Sequence, residues 1–404
     1  MLNKVCLFVN YNLYESKRYF TRKFAEALDR KGIETRVIDV QETSLSADTI
    51  ASIRRYKPDL TCSFNTLLPI SESKFLWDFL QTPHWSILVD PALYSINLTR
   101  SPYTILSCVD TSDLEAIKAH QFNNAFFWPH AVEPELAPGN QKRIYDVVFL
   151  GSCYDYESLR ASWRQRNPEG INKVLDDAID LVFGDNTTSL AEALVKAWSA
   201  SKQNPAGVDF QALFYYLDNY TRGKDRVELI RSIKDAPVHI FGELSTDNAV
   251  GILGWPQYLA SQKNVTIHPS VPFEEALEII KQSKICLNSM PFFKHGSHER
   301  IFASLACGAV PITNDNVYLK QYFDEMEEIV YYSMNNRAEV NAKVNTLLAQ
   351  ESKRADIAMK GRQLVMENHT WDVRVNELLA NIPRIFAQID ASITNPNSHP
   401  PMSH

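Results

Sequence analysis

Residues 291–314 read Pro291-Phe-Phe-Lys-His-Gly-Ser-His-Glu-Arg-Ile-Phe-Ala-Ser-Leu-Ala-Cys-Gly-Ala-Val-Pro-Ile-Thr-Asn314. The pattern predicts the end of a strand, a tight polar turn at Gly296-Ser297 and a helix from His298 to Cys307. Gly308 suits the left-handed residue that ends a helix, and the apolar run from Ala309 to Ile312 predicts a buried strand. Strands that alternate with helices in this way indicate a parallel sheet.

The turn at Gly296-Ser297 predicts a site for an anion. Glycine permits the turn, Ser297 can cap the new helix, and the first N–H groups of that helix have no partner within it. The positive end of the helix dipole points at the same spot. The titratable or cationic side chains around it are Lys294, His295, His298 and Arg300. A phosphate or diphosphate suits this arrangement, and a plain solvated turn is the alternative.

Length and composition predict two globular domains. The chain has 404 residues, of which 45% are hydrophobic, and this favours two well-packed domains of roughly 150–200 residues each. The formal net charge is -7, and neither Lys nor Arg forms a long block. We therefore expect no nucleic-acid partner, and an anionic ligand must be held by local geometry.

The N-terminal segment and the cysteines predict a cytoplasmic protein. Residues Met1–Asn10 contain only a short apolar run, which indicates a first strand rather than a secretion signal. No apolar stretch approaches the roughly 18 residues that span a bilayer, so no integral membrane segment is expected. The six cysteines lie mostly in or beside strand-like runs without CxxC spacing, which favours buried, reduced thiols.

The remaining chain predicts an α/β protein with two Rossmann-like domains whose parallel sheets face a cleft. Near-continuous apolar strands alternate with amphipathic helices in both halves. A Pro-rich segment from Pro129 to Lys142 predicts a linker, and a purely helical pattern predicts an insertion in the second domain. The predicted ranges are an N-terminal domain at 1–130, a C-terminal domain at 131–370 with its insertion at about 157–233, a helix at 371–390 and a disordered tail at 391–404.

Further candidate residues follow predicted strands, where ligands bind in open parallel sheets. Gly242 would let a ligand approach the backbone, or it serves a simple turn. Thr313 and Asn314 could reach ribose hydroxyls or form a polar turn. Asp90 ends a strand of the first domain, where its carboxylate could accept a proton, hold the substrate or cap a turn.

The side chains around the Gly296-Ser297 turn allow several roles. Arg300 can neutralise a diphosphate in bidentate fashion, or it forms a salt bridge to Glu299. His295 could bond a sugar hydroxyl or a leaving-group oxygen, or cap the strand end. His295 and His298 could form a metal pair, but no Cys or carboxylate cluster beyond Glu299 completes a tetrahedral set. We expect no metal and no cofactor.

Three common enzyme classes are disfavoured by missing motifs. The sequence has no GxSxG, no Walker A motif and no GxGxxG after a strand. Hydrolases with a nucleophile elbow, P-loop NTPases and ordinary dehydrogenases are therefore not expected.

The run from His295 to Thr313 resembles the donor-binding segment of GT-B glycosyltransferases, and most closely that of the spore-maturation CgeB-like group. The likeness extends to Val265–Leu277, Asp146–Ser152, Ile329–Tyr332 and the Thr370-Trp371 pair. In GT-B enzymes the helix that opens at such a pair returns to the first domain.

The resemblance implies transfer of a sugar from a nucleotide-diphosphate donor held by the C-terminal domain. The acceptor (a protein, a glycan or a small molecule) would enter from the N-terminal domain, and no bound metal would be needed. We predict catalytic roles for Asp90 and His295. The predicted donor contacts are Gly242, Lys294, Gly296, Ser297, His298, Glu299, Arg300, Thr313 and Asn314.

One departure from the larger GT-B families keeps alternatives open. Retaining families carry two glutamates separated by seven residues here, whereas this chain has His295 or Gly296 and then Ala303. Sugar and ribose contacts would then come from residues such as Glu299 or Asn314. A non-catalytic sugar-nucleotide binder and a sugar-nucleotide epimerase are the alternative functions.

Overall fold

The computed structural model describes residues 2–12, 14–40, 45–71, 74–243 and 254–394. The chain divides into two compact units, one formed by Met1–Pro134 with Glu367–His404 and the other by Glu135–Met366. The boundaries predicted from the sequence are 130/131 and 370/371.

The first unit is built on a six-stranded parallel sheet. Its strands, together with a small two-stranded hairpin (β4 and β5), are β1 Lys4–Val9, β2 Glu34–Asp39, β3 Leu60–Phe64, β4 Pro69–Ser71, β5 Lys74–Phe75, β6 His84–Leu88, β7 Thr104–Cys108 and β8 Ala125–Phe127. Its helices are α1 Ser16–Arg30, α2 Ala47–Tyr56, α3 Leu76–Leu80 and α4 Thr111–Ala119, with a 3₁₀ helix at Ala92–Arg100. The strand order is β2-β1-β3-β6-β7-β8. Every residue of β3, β6 and β7 is buried, as continuous apolar strands predict for a sheet covered on both faces.

The second unit contains another six-stranded parallel sheet. Its strands are β9 Tyr145–Leu150, β10 Val238–Glu243, β11 Val265–Pro269, β12 Ser283–Leu287, β13 Val310–Asn314 and β14 Val330–Tyr332. Its helices are α5 Tyr156–Arg166, α6 Glu169–Gly184, α7 Leu190–Ser201, α8 Phe210–Ser232, α9 Trp255–Tyr258, α10 Phe273–Lys281, α11 Glu299–Ala306, α12 Ala338–Ala349 and α13 Glu351–Asn368. The strand order is β11-β10-β9-β12-β13-β14.

The two sheets confirm the predicted Rossmann-like α/β fold class. The second sheet has the strand order of a dinucleotide-binding domain, in which growth reverses direction between β9 and β12. Four consecutive helices, α5 to α8, stand between β9 and β10 and confirm the predicted helical insertion.

The last helix of the chain, α14 Trp371–Thr394, belongs to the first unit. Its first residue, Trp371, packs 6.0 Å from the ring of Phe24 and 5.9 Å from that of Trp128. The helix ends at Thr394, four residues beyond its predicted end at 390, and buries Ile385 and Ile389. Residues 395–404 of the predicted disordered tail lie outside the described residues.

A membrane-spanning helix would need a long apolar segment. Within the described ranges, no helix is both long and apolar enough to cross a membrane.

Candidate functional site

The candidate site lies at the carboxyl ends of β9 and β12 in the second unit. These two strands pair in register, with Leu287 opposite Phe149. Gly151 follows β9 with a φ of 155°, and Asn288 follows β12. Growth of the sheet reverses direction at this pair, so the connections leave in opposite directions. Open α/β sheets form their ligand crevice at such a switch point.

Helix α11 begins beside this crevice. His298 is its N-cap, and the Nδ1 atom of the ring accepts a hydrogen bond from the N–H of Arg300 at 3.3 Å. The prediction that Ser297 caps the helix is wrong. Ser297 lies one residue before the N-cap and is buried, and the imidazole of His298 accepts the capping hydrogen bond instead. Gly308 has a φ of 76° after the helix, which confirms its predicted left-handed conformation.

The guanidinium of Arg300 is contacted by neutral groups at the ends of β9 and β12. Its Nη1 atom donates to the side-chain oxygen of Asn288 at 3.0 Å, and the guanidinium carbon lies 5.9 Å from the ring centre of Phe149. The Asn288 amide nitrogen donates to the hydroxyl of Thr313 at 3.0 Å, so the amide oxygen is turned toward Arg300. These contacts orient the cation without neutralising its charge, as an anion site requires.

Glu299 contacts His298 rather than Arg300. A Glu299 carboxylate oxygen lies 3.0 Å from His298 Nδ1, the same atom that caps α11. To accept the hydrogen bond from the Arg300 N–H, Nδ1 must carry no proton, whereas an ion pair with Glu299 requires Nδ1 to carry one. The head of α11 therefore holds a histidine and a carboxylate whose contacts depend on protonation.

Lys294 is not placed at the head of α11, contrary to the prediction. Its side chain is fully buried, and Nζ donates to the carbonyl oxygens of Val182 at 2.5 Å and Asp185 at 2.8 Å. Burial lowers the pKa of Lys294 to about 8, and the charge of Asp185 opposes this shift. The long side chain thus holds the end of α6 instead of facing the crevice.

His295 contacts the loop between α6 and α7. Its Nε2 atom lies 2.5 Å from the carbonyl oxygen of Thr187. The loop itself is ordered by Asp185, whose carboxylate accepts hydrogen bonds from both Thr187 and Thr188. Although burial alone would raise the pKa of Asp185, these hydrogen bonds hold it well below its usual range. The catalytic role of His295 stays a prediction.

Four other predicted donor contacts are internal to the fold. Thr313 and Asn314 are buried, and Asn314 accepts a hydrogen bond from the N–H of Met290 at 2.9 Å, so neither is turned toward a ribose. Gly242 is glycine because a Cβ atom there would overlap the carbonyl oxygen of Gly151. Gly296 is buried beside Ser297 in the segment before α11.

Asp90 lies in the first unit, two residues after the end of β6. Its exposed carboxylate accepts a hydrogen bond from the Asn65 amide at 2.6 Å, and the Asn65 oxygen accepts one from the N–H of Val89 at 2.9 Å. Asn65 has a φ of 47°, an uncommon value for a residue other than glycine and one that costs conformational energy. Burial lowers the pKa of Lys17, and the nearby Asp90 charge opposes that shift. Asp90 is therefore presented in a fixed orientation.

Two arginines of the inserted helix α8 also lie near the site and were not predicted from the sequence. Arg226 donates to the carbonyl oxygen of Ser152 at 2.8 Å, and its guanidinium carbon lies 5.8 Å from the ring centre of Phe149. The guanidinium of Arg222 stacks 3.4 Å from the ring centre of Phe292. A recognisable signal was present: two arginines four residues apart flank a mid-helix glycine, Gly223.

The described ranges contain no group of three or more His, Cys, Asp or Glu side chains that could hold a metal ion. His295 and His298, which were considered as a metal pair and disfavoured, are not joined by a third such ligand within those ranges.

Comparison with known proteins connects this site to a family. Residues 224–380 match the family of glycosyl transferase-like proteins, and the matched segment includes β12, α11 and β13. No curated protein sequence matches the chain significantly.

Solved structures share the fold across nearly the whole chain. Sucrose-phosphate synthase from Thermosynechococcus elongatus has a TM-score of 0.57 at 10% identity, covering 95% of this chain and 99% of that one. HepE from Anabaena, solved with UDP and glucose, has a TM-score of 0.54 at 10% identity, covering 94% and 100%. A glycosyltransferase from Rickettsia africae has a TM-score of 0.54 at 9% identity, covering 95% and 99%. At these identities the likeness establishes the GT-B fold.

Proposed function

We propose that this protein is a glycosyltransferase that moves a sugar from a nucleoside-diphosphate donor to an acceptor hydroxyl. The observation that carries the proposal is the position of Arg300 at the head of α11, oriented by Asn288 above the crevice between β9 and β12. Arg300 and Asn288 both lie inside the segment that matches the glycosyl transferase-like family. The complexes of HepE with UDP and with UDP-glucose support a nucleoside-diphosphate sugar as the donor class.

The chemistry of the site fits departure of a diphosphate. Negative charge grows on the leaving diphosphate as its bond to the sugar breaks, and oriented cations and helix N–H groups stabilise that charge. Arg300 supplies a forked donor, and the N-terminus of α11 supplies a positive dipole end. Both are features of the polypeptide, so we propose that transfer proceeds without a bound metal.

We propose that Asp90 accepts the proton of the attacking hydroxyl. The Asn65 amide donates to one carboxylate oxygen of Asp90. The other oxygen would accept the proton from the hydroxyl of the acceptor substrate. His295 is retained as a second candidate in catalysis. We also propose that the protein belongs to the CgeB-like group and that it is cytoplasmic.

Turnover of donors tests the proposal. The protein is incubated with a panel of sugar nucleotides, with and without EDTA, and release of nucleoside diphosphate is measured. We expect release from at least one donor, unchanged by EDTA, with Asp90→Asn slowing release while leaving the Kd of the donor unchanged. Binding heat without release from any donor would instead support a non-catalytic sugar-nucleotide binder.

A further inference from the structure

The loop between α6 and α7 of the insertion, residues 185–189, is fixed to the carboxyl edge of the second sheet. The Asn186 amide donates to the carboxylate of Asp315 at 3.2 Å, and Asp315 directly follows β13. The amide of Asn335, three residues after β14, donates to the carbonyl oxygen of Gly184 at 3.1 Å. These contacts hold the α6–α7 loop where β13 and β14 end.

The α6–α7 loop also contacts the segment that precedes α11. Within residues 291–297, His295 alone is not buried. The Lys294 ammonium donates to the carbonyl oxygen of Asp185 at 2.8 Å, and His295 Nε2 lies 2.5 Å from the carbonyl oxygen of Thr187. Because a carbonyl oxygen only accepts hydrogen bonds, Nε2 carries a proton and donates it to this bond. The loop therefore sets the orientation of the His295 ring.

Asp185 gives the α6–α7 loop its conformation. Its carboxylate accepts hydrogen bonds from the N–H groups of Thr187 and Thr188, both at 2.6 Å. The two threonine hydroxyls donate to the same carboxylate at 3.0 Å and 2.7 Å. Asp185 thus positions the Thr187 carbonyl oxygen that receives the His295 bond. A substitution of Asp185 alters the loop and leaves the segment before α11 chemically unchanged.

The position of His295 relative to Arg300 favours the sugar of the donor as the nearby ligand group. His295 lies three residues before the N-cap of α11. We assign the diphosphate to Arg300, and the sugar is bonded directly to that diphosphate, so it must lie close to the head of α11. The loop reads Asp185-Asn-Thr-Thr-Ser189 and carries no cation, so it suits sugar hydroxyls better than a phosphate.

We propose that the insertion forms a wall of the donor-sugar subsite: the α6–α7 loop holds His295 against the sugar of the bound donor. This inference rests on the proposed function and assigns the insertion a role in selecting the sugar. Asp185 is then a positioning residue, which acts through the loop and His295. The competing explanation is that the loop only stabilises the second unit.

Calorimetric titration of the full-length protein separates these explanations. The probes are UDP-glucose, UDP-N-acetylglucosamine, ADP-glucose and GDP-mannose, each compared with its own nucleoside diphosphate. The pair of ligands that the wild-type protein binds most tightly is then titrated into the variants.

Four substitutions alter the loop contact in different ways. Asp185→Ala removes the acceptor that orders the loop, whereas Asp185→Asn keeps an acceptor oxygen. His295→Ala removes the ring, and Asn186→Ala removes only the tether to Asp315, so it serves if Asp185→Ala does not fold. The matched control is Asp209→Ala in the same insertion, since Asp209 caps α8 by accepting from the N–H of Ala212 at 3.0 Å.

We expect Asp185→Ala and His295→Ala each to raise the Kd of the sugar nucleotide at least fivefold and that of the diphosphate less than twofold. Asp185→Asn should recover most of the affinity, and Asn186→Ala should show a smaller loss of the same kind. The double variant of Asp185 and His295 should lose no more than either single variant, because both act through one contact. Asp209→Ala should change neither Kd.

Two results would overturn this inference while leaving the proposed function in place. One is an equal loss of affinity for the sugar nucleotide and the diphosphate, which would assign the loop to the stability of the unit. The other is no loss for either ligand. If the wild-type protein binds no nucleoside diphosphate, the inference and the proposed function both fail.

Discussion

The side-chain amide of Asn288 accepts a hydrogen bond from Arg300 at 3.0 Å and donates one to Thr313 at 3.0 Å. Asn288, which directly follows β12, thereby orients the guanidinium of Arg300 in α11 and also links the end of β12 to β13. The neutral amide leaves the positive charge of Arg300 available to an anionic ligand.

Substitution of Asn288 should separate orientation from charge. We expect Asn288→Ala to weaken nucleoside-diphosphate binding by about 1 kcal/mol, because Arg300 loses a neutral hydrogen bond. Asn288→Asp should weaken it further, since a carboxylate beside Arg300 neutralises the charge that the diphosphate needs. Calorimetry on the two variants checks the order; tighter binding by Asn288→Asp would show that the charge of Arg300 is not used.

Lys294→Met should reduce stability rather than ligand binding. The substitution removes hydrogen bonds from a buried ammonium to the carbonyl oxygens of Val182 and Asp185, which we expect to cost about 1–3 kcal/mol of unfolding free energy. Chemical unfolding measures the loss, with Lys320→Met at an exposed ion pair as the control. A large change in the diphosphate Kd with unchanged stability would instead restore Lys294 to the donor site.

Gly242→Ala should destabilise the second unit strongly. A Cβ atom there overlaps the backbone of Gly151, and a rigid backbone cannot move aside, so we expect a loss of about 3 kcal/mol. Gly184→Ala is the matched control, because nothing lies within 4 Å of its Cβ position. That substitution should be neutral or stabilising by up to about 1 kcal/mol. Equal unfolding midpoints for the two variants would contradict the packing described here.

His84 should make the first unit sensitive to acid. The ring is buried, stacked 3.8 Å from Trp77 and bonded to Thr61 and Ser63, and burial lowers its pKa to about 3. The unfolded chain takes up this proton near pH 6.5, so stability falls as the pH drops from about 6.5 toward 3, by up to about 1.4 kcal/mol per pH unit.

Unfolding of His84→Gln over the same pH range isolates this effect. His369, whose pKa burial also lowers to about 3, is present in both proteins and cancels from the difference. The stability advantage of the wild-type protein should therefore shrink on acidification. A difference independent of pH between 6.5 and 3 would show that His84 does not stay neutral in the folded state.

Local patterns predicted the elements around the site well. The helix expected at His298–Cys307 is observed as α11 at Glu299–Ala306, and Gly308 is left-handed, because spacing and glycine act over a few residues. The helical insertion followed in the same way from its apolar periodicity.

The partners of the side chains could not be predicted, because distant segments supply them. Lys294 looked like part of a basic cluster, but the end of α6, more than 100 residues earlier, provides its acceptors. Arg226 reaches the site only because β9 lies between β10 and β12, and strand order is not visible in local sequence. The N-cap of α11 is His298, one residue later than the predicted Ser297. Sequence preferences do not locate the end of a helix to within one residue.

The most direct test of the account is the Kd of the best-binding nucleoside diphosphate for Arg300→Met against the wild-type protein, measured by calorimetry. Loss of a charge-assisted hydrogen bond costs about 1.5–3 kcal/mol, so we predict a Kd higher by roughly 10- to 150-fold with the unfolding midpoint unchanged. An unchanged Kd would contradict the claim that Arg300 at the head of α11 binds the diphosphate.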